Sequence, residues 1–111
     1  MLTVEEVVER YGDRLNDFKS HLSSDWEVLV FKSIDILHHL EREGFVKTRN
    51  IVLEDLNPLI LKGYEEEKLN QGILKIGQIA DESTGIVLLR LKEVLDNLFA
   101  VKISMSRRNV S

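Results

Sequence analysis

The chain has no cysteine among its 111 residues, which excludes disulfide cross-links, thiolate nucleophiles and cysteine-ligated zinc. It has a single proline, Pro58, and no glycine- or serine-rich tract. Nothing therefore marks a linker, and one domain built around one core is expected. No apolar run approaches the roughly 20 residues that a membrane span needs. The opening MLTVEEVVER lacks the apolar core of a signal peptide, so a cytoplasmic location is the expectation.

Catalytic signatures are missing as well. No serine sits in a G-x-S-x-G elbow, and the glycines at 63, 72, 77 and 85 match neither a phosphate-binding nor a dinucleotide-binding spacing. The expectation is a protein that is not an enzyme and needs no cofactor. A strong charge of one sign is also absent, since the net charge is −4. Residues 1–44 hold ten acids against five bases, residues 45–101 nine against seven, and residues 102–111 three bases and no acid. An acidic body does not attract nucleic acid by its bulk field. Lys102, Arg107 and Arg108, in what reads as a flexible basic tail over 102–111, are weak candidates for phosphate contact.

What the chain does have is helical periodicity. Hydrophobic residues make up 43 % and charged residues 31 %, the profile of a folded globular protein. Thr3 and Glu6 form a capping box. Val4, Val7, Val8, Tyr11, Leu15, Phe18 and Leu22 then recur every three or four residues, predicting a helix to about residue 22. A second capping box, Ser24 with Glu27, opens a helix through Val30, Phe31, Ile34, Leu37 and Leu40 to a stop at Gly44. Val28, Leu29 and Ile36 widen its apolar face, which predicts a central helix.

FVKT, residues 45–48, reads as a short edge strand, and IVLEDL, 51–56, as a helical turn or two. Asn57 then caps a helix with Pro58 at its first position, running to Gly72. Residues 73–91, ILKIGQIADESTGIVLLRL, contain Gly77 and Gly85. Each glycine costs a helix interior about 1 kcal/mol. Two apolar runs flanking an Asp-x-x-Thr-Gly loop predict a β-hairpin. The alternative is a helix beginning at Ser83 or Thr84, on which Val87, Leu91, Val94, Leu95 and Leu98 share a face.

The resulting order over residues 26–91 (helix, short strand, short helix, helix, hairpin) resembles a winged-helix domain. The fold class expected is therefore α+β, helix-rich, with a C-terminal hairpin, and an all-α bundle is the alternative. The organisation expected is an amphipathic helix over 1–22, a winged-helix-like core over 23–101 and the basic tail. The resemblance implies DNA binding through the third helix, PLILKGYEEEKLNQ. There Glu65, Glu66 and Glu67 would face phosphate, against only Lys62 and Lys68, and the wing tip carries Asp81 and Glu82. That charge favours a scaffold that contacts another protein. A non-enzymatic adaptor or accessory subunit of a larger assembly, with nucleic-acid handling left open, is the first functional expectation, and a DNA-binding regulator the second.

Asp35, His38 and His39 lie within one turn and offer oxygen and nitrogen donors, a weak metal candidate because the fourth ligand it would take, Glu41 or Glu43, points elsewhere on the helix. The N-terminal stripe predicts a homodimer seam at Val8, Tyr11, Leu15 and Phe18. Trp26 and Tyr64 join them as interface candidates because aromatics are enriched at such surfaces, although Trp26 reads more simply as core.

Overall fold

The computed structural model describes residues 2–12, 25–44 and 52–110. Five α-helices and one π-helical turn account for nearly all of them: α1 Val4–Tyr11, α2 Trp26–Arg42, the π-turn Val52–Leu56, α3 Asn57–Lys62, α4 Glu66–Asp81 and α5 Gly85–Val110. No β-strand occurs among the described residues. The α+β expectation and its winged-helix order are overturned, and the all-α alternative describes the chain.

The segment expected to be a hairpin is α4, a three-residue connection and the start of α5. Its glycines serve another purpose than the one expected. A Cβ at Gly77 would lie 2.8 Å from Val7 Cγ2, and one at Gly72 would lie 3.0 Å from Leu56 Cδ2. The missing side chains let α1 and the π-turn approach α4 closely, and that contact offsets the helix-propensity cost. Gly85 does need a positive φ, at 62°, but the turn it makes joins two helices. Its neighbours then follow the helical alternative, with Leu91, Val94, Leu95 and Leu98 all fully buried.

Helix boundaries moved for local reasons. The Pro58 helix stops at Lys62, because Gly63 takes φ 99° and Glu65 is extended. Glu66 and Glu67 consequently stand in the first turn of α4, where carboxylates complement the helix dipole, and not in mid-helix. Leu56, not Asn57, holds the N-cap position of α3, without a side-chain cap. Asp25, not Ser24, caps α2 by accepting from the Glu27 backbone N–H at 3.1 Å. Thr3 caps α1 as expected, accepting from the Glu6 N–H at 3.2 Å. That helix ends at Tyr11, with Gly12 as its C-cap; Leu15, Phe18 and the FVKT strand fall outside the described residues. Residues 102–110 continue α5 as helix, so a flexible tail is replaced by helical backbone.

The core lies between α2, α4 and α5, closed by the π-turn and α3. It joins Leu29, Val30, Leu37, Leu59, Leu69, Ile73, Ile76 and Phe99, among others, in one apolar cluster that also takes in Val7 of α1. Trp26, 8 % exposed, meets Tyr64 edge to face with ring centroids 5.8 Å apart, a geometry worth about 0.5–1.5 kcal/mol beyond burial. Ser33 is buried in α2 and satisfied by donating to the Leu29 carbonyl at 2.9 Å.

Gly77→Ala is expected to cost about 1–3 kcal/mol through overpacking against Val7, more than alanine's helix preference returns. In a Val7→Ala background most of that cost should vanish. Urea denaturation of the two single variants and the double variant measures this coupling.

Candidate interaction face

α1 docks on its own domain. Val7 is fully buried against α4, and Val8 and Tyr11 are half-buried at the edge of the same core. A polar clamp holds the end of the helix: Arg10 Nη1 donates to Asp81 Oδ2 at 2.6 Å, and the Tyr11 hydroxyl donates to Asp81 Oδ1. Burial, the Asp81 hydrogen bond and its negative charge push the Tyr11 phenol up to about 12. The same Tyr11 hydrogen bond, with help from Arg10 and against partial burial, holds the Asp81 carboxyl below its ordinary value. Of the four residues expected at a dimer seam, Val8 and Tyr11 are thus engaged within the chain.

A second polar contact secures the π-turn. Asp55 is buried, and Lys75 of α4 reaches it at 2.6 Å and Glu54 at 3.5 Å. The Asp55 hydrogen bond and the two negative charges raise the lysine pKa against the opposing effect of burial. Sequence reasoning missed this pair, because Asp55 and Lys75 are twenty positions apart and neither falls in a recognisable motif.

Lys102 does not present itself to phosphate. Its Nζ is 2.8 Å from Asn70 Oδ1 and 3.2 Å from Glu66 Oε1, so α4 already holds it. The Arg107 and Arg108 side chains lie outside the described residues. Trp26 and Tyr64 are brought together, but inside the fold, Trp26 as core. Asp35, His38 and His39 are all exposed on α2. Among the described residues no three histidine or carboxylate side chains converge as a metal site would require.

What remains is the outer face of α2. Phe31 and Val28, expected to serve the core, are 55 % and 46 % exposed. Around Phe31 lies an open hollow of about 370 Å³, lined also by Lys32, Ile34, Asp35 and His38. A second hollow of about 190 Å³ lies between α2 and α5, lined by Asp35, Ile36, His39, Leu40, Arg42 and Arg90. Asp35 borders both. The signal for this face was present in the sequence as a helix with more apolar positions than one buried stripe uses. Leu61 on α3 and Ile86 and Leu89, three apart on α5, are exposed as well, but neither of the two hollows is lined by them.

No protein-family profile matches the chain, and neither a curated protein nor a solved structure shows significant similarity to it. No helix among the described residues is long and apolar enough to cross a membrane.

Two outcomes follow for the clamps. The Tyr11 pKa is raised above 10.0, so its contribution to α1 docking is complete below that pH and is lost as pH rises towards about 12. The Asp81 pKa is lowered from 3.8, so its contribution is complete above that value and is lost as pH falls through the acid range. Methyl chemical shifts of Val7 across pH should show docking released at both extremes, and Tyr11→Phe should remove the alkaline release. At the π-turn, Lys75→Met leaves a buried carboxylate unpaired and is expected to destabilise by about 3 kcal/mol. Adding Asp55→Asn should recover a large part of that loss in thermal denaturation.

Proposed function

We propose that the chain is a non-enzymatic protein–protein interaction domain, an adaptor or accessory subunit, and that the outer face of α2 is its contact surface. The carrying observation is the exposure of Val28 and Phe31 on a helix whose opposite side forms the core. A large aromatic held half in water on a well-packed helix is the type of anchor that interfaces use. The shallow hollow beside it offers a seat for a partner side chain. The surrounding charges are of both signs, Lys32 and Arg42 with Asp35, which gives a polar rim and some selectivity.

The rest of the chain supports a scaffold role. The two polar clamps at Asp81 and Asp55 tie peripheral segments to α4, and the two hollows on α2 are open and shallow, unlike the concave apolar pockets that hold small substrates.

Site-specific photo-cross-linking in extract of the native source tests the reading. A photo-reactive residue at Phe31 or Val28 should yield one discrete protein adduct, and the same residue at the exposed Gln78 of α4 should not. Equal labelling from both faces would remove α2 as the contact surface.

A further inference from the structure

The outer face of α2 carries a charge order with a symmetry of its own. Val28, Lys32, Asp35, His39 and Arg42 follow one another at intervals of four, three, four and three, which places them along one stripe of the helix. All five are exposed, and Phe31 and His38 flank them. The capping residue Asp25 extends the series at the N-terminal end. About the midpoint between Ser33 and Ile34, Asp25 and Arg42 stand at equal distances, and so do Lys32 and Asp35. Each symmetric pair joins an acid to a base. Lys32, Asp35 and Arg42 enter no ion pair among the described residues, and neither do Lys62, Lys68 and Lys92, whereas Arg10, Lys75, Arg90 and Lys102 do.

We propose that a second copy of this chain docks on this face, with the two α2 helices antiparallel about a twofold axis near Ser33 and Ile34. The inference rests on the interaction reading above and names its partner. A twofold axis pairs each residue with its symmetric counterpart. Lys32 of each copy then lies opposite Asp35 of the other, and Arg42 opposite Asp25, for four complementary pairs in all. A parallel pair would set like charge against like, so the charge order selects the antiparallel direction. Phe31 and His38 lie on one flank of the stripe, so an antiparallel approach brings Phe31 of one copy towards His38 of the other and covers the exposed ring. The surface is small. Seventeen residues of helix are roughly 25 Å long, and one helix pair buries less than the ~800 Å² per partner of a standard interface. The association is therefore weak and reversible, and because its ion pairs are solvent-exposed it weakens in salt.

Sedimentation equilibrium over a range from about 10 μM to 1 mM, concentrations that bracket weak association, tests the proposal. The wild-type mass should rise from 12.8 kDa towards twice that value. Phe31→Glu should remain monomeric with unchanged circular dichroism. Lys32→Asp and Asp35→Lys should each weaken self-association tenfold or more. The double variant Lys32→Asp/Asp35→Lys should restore it, and mixing the two single variants should give a heterodimer tighter than either homodimer. A wild type that stays at 12.8 kDa throughout overturns the proposal, as does a dimer indifferent to these charge reversals. If self-association fails while cross-links from Phe31 to a different protein persist, the homodimer is wrong and the interaction reading stands. If cross-linking shows no preference for α2, the interaction reading itself fails.

Discussion

The close approach of α4 to its neighbours, made possible where it has no side chain, is the constraint on which the rest of the fold depends. Val7 presses against α4 at Gly77, and Leu56 presses against it at Gly72. With any larger residue at those positions the neighbouring backbones would stand further off, and the buried side chains between them would lose the contact density that makes burial worthwhile. The polar clamps work beside these contacts. Arg10 and Tyr11 reach Asp81 one turn beyond Gly77, and Lys75 reaches Asp55 one turn beyond Gly72. Each peripheral segment is thus held by one apolar notch and one charged contact.

This arrangement leaves α2 with an asymmetric task. Its inner face, from Leu29 and Val30 through Ser33 and Leu37 to Leu40, is buried in the core. Its outer face keeps Val28 and Phe31 in water beside an order of alternating charge. The core holds the helix in place without using those residues, so they are available to a partner at little cost in ordering. Of the N-terminal stripe that looked available from the sequence, Val7 is spent internally against α4, with Val8 and Tyr11 half-buried beside it.

Much of the helical content was legible in the sequence. Thr3, the Gly44 stop and the three-to-four spacing of Leu91, Val94, Leu95 and Leu98 all act locally, through hydrogen bonds and side-chain positions within one or two turns. They hold whatever the remainder of the chain does. The positive φ at Gly85 was also legible, because few other residues accept it.

Whether the connection at 82–84 joins strands or helices was decided only by tertiary packing, and so was the meaning of the other glycines. A glycine inside an apolar run lowers helix and strand propensity alike, and its sequence neighbours do not reveal that Val7, seventy positions away, fills the space above Gly77. The same reason hid the candidate face. Composition showed that α2 has more apolar residues than one stripe requires, but which of Val28, Phe31, Ile34 and Leu37 would face water depended on where α3 and α5 came to lie against it. Local hydrogen bonding determined where most helices begin and end; contacts between residues distant in sequence determined which of their faces the core consumed and which it left exposed.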